Sequence, residues 1–184
     1  MKLILASGSP RRKELLSLIT DDFTVSPGHF DESLVHEKTP AMLAERLARE
    51  KCLEAARRNG DAVVIGSDTV VEADGRVFGK PADEEDARRM IRTLSGKTHF
   101  VHTGVCICGG GRTESFADTC RVTFFEIDPE DIERYIRTAE PYDKAGAYAI
   151  QGHAALWIDR IEGDYYTIMG LPVSRTSRLL KSFL

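Results

Sequence analysis

Residues 2–19 of this 184-residue chain, KLILASGSPRRKELLSLI, predict how the fold begins. Residues 2–6 are a short apolar stretch of the kind that forms a buried strand. Ser9 is a good helix N-cap and Pro10 suits the first helical position, so a helix should follow. The turn between them, residues 6–9, holds only small residues and lets a ligand approach the backbone closely. A strand that leads through such a turn into a helix is typical of an α/β fold with a ligand at the turn.

Further strands and helices alternate along the rest of the chain, with hairpins between them. Thr39-Pro40 opens a longer helix, and Asp74-Gly75 and the run Gly109–Gly111 are hairpin signals. The predicted helices are residues 9–19, 39–58, 83–94, 128–138 and 172–181, and the predicted strands are residues 2–6, 62–66, 69–73, 76–78, 98–108, 113–125, 154–158 and 164–169. Because hairpins intervene among the helices, we predict a mixed sheet flanked by helices rather than a purely parallel one.

The composition fits one globular domain and excludes several classes of protein. Hydrophobic residues make up 42% of the chain and charged residues 29%, and at ~150 residues per domain we predict a single domain, residues 1–184. The net charge of −4 argues against broad electrostatic binding to nucleic acid. No apolar run approaches the ~20 residues of a membrane span, and the N-terminus lacks the apolar core of a signal peptide. We therefore predict a cytoplasmic protein with no membrane partner.

The first predicted helix carries an unusual concentration of positive charge at its N-terminus. Arg11, Arg12 and Lys13 lie in its first turn, where the helix dipole disfavours each cation by ~0.3–1 kcal/mol. Backbone N–H groups and guanidinium groups placed there form a cradle for an oxyanion such as phosphate. The alternative is a solvated basic face. On the dipole argument, replacing Arg11 or Arg12 by alanine should leave stability unchanged or slightly higher.

Five further residues are candidates for a site, and three of them have an ordinary structural alternative. Asp68 follows a buried strand, where a carboxylate can orient a water or hold a metal, although a turn-forming aspartate is the alternative. Lys80 ends the following hairpin and either returns near Asp68 or is solvated. Lys51 continues the apolar face of its helix, so it either extends to the rim or points into a cleft toward phosphate. Asp31 and Glu32 are adjacent carboxylates, a weak signal for a metal site.

Two motifs that suggest other kinds of site do not fit. Residues 95–98, SGKT, match the end of a phosphate-binding P-loop, but Ile91 stands where the first glycine is required and a helix precedes the motif instead of a strand. Cys106 and Cys108 alternate along a predicted strand, which does not match the usual spacing of zinc ligands. We interpret these two cysteines as small buried hydrophobic residues.

Several stretches of the chain, taken in order, resemble one known family. They are residues 7–16, SGSPRRKELL; 66–69, GSDT; 79–81, GKP; 143–152, DKAGAYAIQG; 163–166, GDYY; and 169–172, MGLP. Together they resemble the Maf family of nucleoside triphosphate pyrophosphatases over essentially the whole chain. The resemblance implies an α/β fold similar to inosine triphosphate pyrophosphatases, with two lobes around a central cleft. It also implies hydrolysis between the α and β phosphorus atoms, giving a monophosphate and pyrophosphate, with a divalent metal cation, Mg²⁺, as cofactor.

The resemblance also assigns roles to individual residues. Asp68 matches the general base that activates water, and Glu32 matches a carboxylate of the cleft, so the two are the implied metal ligands. The positions that contact phosphate are matched by Ser7, Arg11, Arg12, Lys51 and Lys80. Thr69 and Gln151 match positions associated with base choice, and they are the residues of the subgroup that acts on dTTP and UTP. We therefore predict dTTP and UTP as substrates, with modified pyrimidine nucleotides as further candidates.

The resemblance leaves alternatives open. One is a 7-methyl-GTP pyrophosphatase of the same fold, against which Thr69 and Gln151 argue. Another is a nucleotide-binding regulator of septum formation that does not hydrolyse its ligand, because members of the family have been linked to septum formation and cell-division arrest. The partner that we expect is a small-molecule nucleoside triphosphate, without nucleic acid or membrane, and a homodimer is an open alternative to a monomer.

Overall fold

A seven-stranded mixed sheet organises residues 2–28 and 30–184, the residues that the computed structural model describes. The strands are β1 (Leu3–Leu5), β2 (Thr24–Val25), β3 (Val63–Ala73), β4 (Arg76–Phe78), β5 (Thr98–Gly109), β6 (Arg112–Phe124) and β7 (Ile158–Glu162). Their order is β2-β1-β3-β5-β6-β7, and β4 pairs with β3. The strand β1 is parallel to β2 and β3, whereas the other pairs are antiparallel. The predicted mixed sheet is confirmed.

Six α-helices flank the sheet within the described ranges. They are α1 (Pro10–Ser17), α2 (Pro40–Asn59), α3 (Glu84–Leu94), α4 (Pro129–Ile136), α5 (Tyr165–Met169) and α6 (Val173–Leu180). The expected N-caps of α1 and α2 are in place, because the side chains of Ser9 and Thr39 accept hydrogen bonds from the first turns of these helices. The Asp83 side chain caps α3 in the same way. None of these helices combines the length and the apolar character needed to cross a membrane.

Three parts of the strand prediction are wrong, namely one break within a strand and two strands that are largely or wholly helical. Residues 62–73 do not break into two strands, because β3 runs without interruption to Ala73. The predicted strand 154–158 is mostly the 3₁₀ helix His153–Trp157, and β7 begins after it. The predicted strand 164–169 is the helix α5, because the side chain of Asp164 caps its first turn and Gly170, with a φ of 108°, ends it.

Two apolar clusters pack on different parts of the sheet. One contains Leu15 and Leu16 of α1 with Leu180 of α6, and it packs on β1 and the first half of β3. The other contains Ile91 of α3 and Ile136 of α4, and it packs on the far end of β3. Met169 of the first cluster and Val71 and Tyr148 of the second line the cleft that is described below, so the cleft borders both clusters.

Helix α2 lies unusually close to the sheet because glycines face it. A Cβ atom on Gly66 of β3 would lie 2.4 Å from the carbonyl oxygen of Ala48, and one on Gly104 of β5 would lie 2.1 Å from that of Ala44. Neither distance is sterically allowed, so only glycine permits this approach. This close packing determines how far Lys51, which is part of α2, lies from β3.

Candidate active site

A cleft of about 690 Å³ lies between the first loop and the segment after α4. All of the site residues that the resemblance assigns line it: Ser7, Arg11, Arg12, Glu32, Lys51, Asp68, Thr69, Lys80 and Gln151, whereas the candidate Asp31 does not. They come from the loop after β1, from α1, from the 3₁₀ helix Glu32–Leu34, from α2 and β3, from the hairpin end after β4 and from the loop before residue 153. The fold therefore brings together residues that are far apart in the chain, while the chemical role of each stays a prediction.

Asp68, Lys51 and Glu32 form an ionic cluster at the floor of the cleft. The Lys51 ammonium contacts a carboxylate oxygen of Asp68 and lies 2.6 Å from Glu32 Oε1. Asp68 is only 7% exposed, and this burial raises its pKa above the usual value, while the positive charges of Lys51 and Arg12 oppose the rise. A carboxylate whose pKa is raised and whose charge is balanced by a lysine has the properties of a general base.

The geometry resolves the alternatives that were open for Asp68 and Lys51. Asp68 is not a turn residue, because it lies inside β3 in register with Gly104 of β5. Lys51 does not extend to the rim, because its ammonium is held between Asp68 and Glu32. A strand broken at residue 66 would have left Asp68 in a loop. The continuous strand instead fixes its backbone on both sides.

Arg12 holds the first loop against two other segments. Its Nε donates to the Gly170 carbonyl oxygen at 2.9 Å, its Nη1 to Ser7 Oγ at 3.2 Å and its Nη2 to Thr69 Oγ1 at 3.1 Å. Burial lowers the pKa of this guanidinium, and the charge of Asp68 opposes that shift. A solvated basic face is therefore the wrong interpretation for Arg12.

Ser7 and Arg11 present polar atoms to the same end of the cleft. The Ser7 hydroxyl accepts from Arg12 Nη1 and from the backbone N–H of Ser9 at 3.3 Å. Both of its lone pairs are therefore used, and its hydrogen can donate into the cleft. Arg11 Nη1 lies 3.7 Å from Asp143 Oδ2, in the segment on the other side of the cleft. Lys13, by contrast, is exposed outside this group.

Lys80 and Gln151 approach the cleft from its second side. The carbonyl oxygen of Gly79 accepts from the backbone N–H of Gly146 at 3.0 Å, which holds the hairpin end against residues 144–152. Gln151 is exposed, and within the described residues its amide makes no side-chain hydrogen bond. The amide is therefore free to contact a ligand rather than committed to a turn.

Three polar residues near the site were missed by sequence reasoning. Asp143 and Lys144 lie in a recognised stretch and line the cleft, but neither was given a role. Thr103 lies behind Thr69 and is fully buried. The signal for Thr103 is a polar residue within the apolar stretch 98–108, and it is weak because threonine is common in strands.

The described residues contain no group of three or more side chains of the metal-binding types. Cys106 and Cys108 are buried free thiols, as expected of small hydrophobic residues. The carboxylates of Asp68 and Glu32 lie close together in the cleft, and the Lys51 ammonium lies between them. Two carboxylates are a sparse protein shell for a metal, although Mg²⁺ often takes one or two carboxylates and completes its shell with substrate phosphates.

Residues 2–183 match the family model described as "Maf-like protein". The chain belongs to the Maf-like family. Curated Maf-like relatives include the dTTP/UTP pyrophosphatase of Koribacter versatilis, 50% identical over 181 residues, which cover 98% of this chain and 94% of that protein. The dTTP/UTP pyrophosphatase of Bacillus pumilus is 46% identical over 182 residues, 99% of this chain and 96% of that protein. The dTTP/UTP pyrophosphatase of Bacillus cereus is 43% identical, again over 99% of this chain.

Two solved structures share the fold at low sequence identity. The Ham1 protein of Staphylococcus aureus superposes with a TM-score of 0.53 at 13% identity, and that of Coxiella burnetii with a TM-score of 0.55 at 12% identity. Each comparison covers 99% of both chains. The Maf-like chain therefore has the overall architecture of these proteins.

Proposed function

We propose that this protein is a nucleoside triphosphate pyrophosphatase that hydrolyses dTTP and UTP to the monophosphate and pyrophosphate. The observation that carries the proposal is the buried Asp68 carboxylate, held by Lys51 on the floor of a cleft with cationic walls. The activity in the names of the three relatives supports the same choice. We assign the whole activity to one domain, residues 1–184.

The cationic and hydroxyl groups of the cleft bind the triphosphate in this proposal. Arg11, Lys51 and Lys80 offset its negative charge, and Ser7 donates a hydrogen bond to a phosphate oxygen. Phosphoryl transfer needs positioning and charge stabilisation more than covalent catalysis, which suits a site without a cysteine or serine nucleophile. Cationic side chains outnumber carboxylates along the cleft, so the local field favours an anion although the chain is acidic overall.

Asp68 acts as the general base. Its carboxylate accepts a proton from a water molecule as the water oxygen attacks the α phosphorus. The bond from that phosphorus to the bridging oxygen breaks, and pyrophosphate leaves with the bonding electron pair. Burial favours this role because a carboxylate removed from water is a stronger base than an exposed one.

A divalent cation, Mg²⁺, fits the cleft only together with the substrate. Asp68 and Glu32 would hold it, with phosphate oxygens as further ligands, because the two carboxylates alone do not complete a shell. When bound, the metal supplies positive charge to the phosphates. The Lys51 ammonium lies between the same carboxylates, so it would share them with the metal.

Thr69 and Gln151 are the proposed determinants of base choice. The Gln151 amide offers both a donor and an acceptor, which suits the alternating carbonyl and N–H groups of uracil and thymine. Cytosine presents an unprotonated N3 and an amino group at that edge, so the same partners would be mismatched. We expect hydrolysis of dTTP and UTP well above that of CTP, ATP, GTP and 7-methyl-GTP.

The decisive experiment is a nucleotide panel with pyrophosphate detection, run with and without Mg²⁺, on the wild type and Asp68→Asn. We expect this variant to bind nucleotide but to lose ~10²-fold or more in kcat, the size of a lost general base. Asp61→Asn, at an exposed position, is the matched control and should retain full activity. A wild type that binds nucleotides without turnover would favour the regulator, and a best substrate of 7-methyl-GTP would favour the other subgroup.

A further inference from the structure

A chain of hydroxyl groups runs from the cleft wall into the core behind it. Thr69 Oγ1 on β3 lies 2.8 Å from Thr103 Oγ1 on β5, and the two residues are directly paired in the sheet. Thr103 Oγ1 in turn lies 2.7 Å from the carbonyl oxygen of Thr167 in α5. Thr69 lines the cleft, whereas Thr103 is completely buried and does not reach it.

The direction of this chain is fixed by the carbonyl at its inner end. A carbonyl oxygen can only accept, and two oxygens 2.7 Å apart without a hydrogen between them would repel each other. The Thr103 hydroxyl must therefore donate its single hydrogen to the Thr167 carbonyl oxygen. The short contact between the two threonine hydroxyls then requires Thr69 to be the donor and Thr103 the acceptor.

This direction limits what Thr69 can offer to a ligand. Its hydrogen is committed to Thr103, and one of its lone pairs accepts from Arg12 Nη2 at 3.1 Å. One lone pair remains, so toward the cleft the Thr69 hydroxyl is an acceptor and not a donor. Without the Thr103 hydroxyl, Thr69 could rotate its hydrogen toward the cleft and serve as either.

We propose that Thr103 is a specificity-determining positioning residue, which holds the Thr69 hydroxyl as an acceptor and so selects a base that presents an N–H to it. The inference rests on the proposed function and adds a residue that does not touch the substrate. Uracil and thymine present N3–H, which the remaining Thr69 lone pair can accept. Cytosine presents a lone pair at N3, and two lone pairs facing each other in a partly buried site are unfavourable.

The surroundings make the Thr103 hydroxyl removable without rebuilding the site. Valine has nearly the shape of threonine, so Thr103→Val removes the hydroxyl at a modest cost in packing, because its methyl group must lie slightly farther from the Thr69 and Thr167 oxygens than the hydroxyl does. The Thr167 carbonyl oxygen keeps a second donor, the backbone N–H of Gly170 at 3.2 Å. Arg12 also remains bonded to Thr69. The expected change is therefore that the Thr69 hydroxyl becomes free to direct its hydrogen toward the cleft instead of toward residue 103.

The test compares kcat/KM for UTP and CTP, which share a sugar and differ in the base edge. In Thr103→Val we expect the ratio of UTP to CTP to fall by about tenfold, mainly through faster use of CTP, because the freed Thr69 hydroxyl can donate to cytosine N3. Thr103→Ser restores the hydroxyl and should restore the ratio. A ratio that stays at the wild-type value in folded Thr103→Val, with UTP and CTP affected equally, would overturn the inference.

A second measurement separates this inference from the proposed function. The affinities of the wild type and both variants for the non-hydrolysable α,β-imido analogues of UTP and CTP are measured by calorimetry. A wild type that does not cleave UTP would reject the proposed function, and the affinity ratios would still report on Thr103. If Thr103→Val does not fold, the comparison moves to Thr103→Ala, and an unchanged UTP-to-CTP affinity ratio in that variant likewise rejects the role.

Discussion

Arg11 and Arg12 are adjacent residues with different tasks. The Arg12 guanidinium joins three segments through Ser7, Thr69 and Gly170. Arg11 reaches across the cleft to Asp143, 3.7 Å away, and makes a looser ion pair. The helix dipole disfavours both cations equally, so their difference in stability comes from these hydrogen bonds.

We therefore keep the expectation from the dipole for Arg11 and reverse it for Arg12. We expect Arg12→Ala to lower the free energy of unfolding by about 2 kcal/mol, because it removes charge-assisted hydrogen bonds and leaves the Gly170 and Ser7 oxygens with fewer donors. Arg11→Ala should stay within about 0.5 kcal/mol of the wild type. Urea denaturation of the two variants measures both changes, and equal stabilities would contradict the assignment of Arg12 as a connector.

At this scale the residues that line the cleft could be predicted, but not their mutual contacts. The motifs carry most of the positions, since all of them except Glu32 and Lys51 lie within a recognisable stretch. The bonds from Arg12 to Gly170 and from Thr69 to Thr103 join residues 158 and 34 positions apart. No local pattern contains that information, because it depends on which strands pair and where the loops return.

At the scale of elements, the approach of α2 to the sheet decides where Lys51 lies. Gly66 and Gly104 occupy neighbouring strands under α2, and each would clash with its backbone if it carried a Cβ atom. Cys52, the residue after Lys51, packs against Gly66. The ion pair between Lys51 and Asp68 therefore depends on two small residues that take no part in the chemistry.

We expect Gly104→Ala to cost about 3 kcal/mol of stability, because a methyl group there must push α2 away from β5. The displaced helix should also weaken the Lys51–Asp68 contact, so kcat should fall together with the melting temperature. Gly79→Ala is the matched control for the melting temperature alone, because a Cβ atom there meets nothing within 4 Å but the residue lines the cleft. Thermal melts of both variants and kinetics of Gly104→Ala make the test, and a Gly104→Ala protein as stable and active as the wild type would contradict it.

The elements that could be predicted are those with strong local signals at their ends. A capping residue followed by proline, as at Ser9 and Thr39, marked the helices correctly. Residues 154–169 were misassigned because a five-residue helix is too short to show a helical period. The length of β3 was also mispredicted, because the small residues Gly66 and Ser67 are typical of a strand end. In the structure both lie within the strand: Gly66 faces α2, and the Ser67 hydroxyl donates to the Gly170 carbonyl oxygen.

At the scale of the whole molecule, a buried histidine links the core to the solution pH. His99 on β5 packs edge-on against Phe124 and Tyr148, with ring centroids 4.9 Å and 5.3 Å away. Its Nε2 lies 2.8 Å from the Tyr148 hydroxyl, while its Nδ1 has no hydrogen-bond partner within the described chain. Burial without a charged partner lowers the pKa of His99 to about 4.

This pKa lies below the ordinary value of 6.5, so the unfolded chain binds a proton at His99 before the folded protein does. The resulting stability is fully present above about pH 6.5 and is lost progressively as the pH falls toward about 4, to a total of about 3 kcal/mol. His102, whose pKa burial also lowers against the opposing effect of Glu72, adds in the same direction.

We expect the free energy of unfolding of His99→Phe to fall less steeply than that of the wild type as the pH is lowered. Phenylalanine preserves the aromatic packing and cannot take up a proton, although it leaves the Tyr148 hydroxyl without its partner and so lowers stability by a similar amount at every pH. The measurement is the free energy of unfolding in urea between pH 7.5 and 4.5, as a slope rather than a single value. His36→Gln, at an exposed position, should keep the wild-type slope. If His99→Phe also keeps that slope, the acid sensitivity of the fold arises elsewhere, because only a titrating group can change stability with pH.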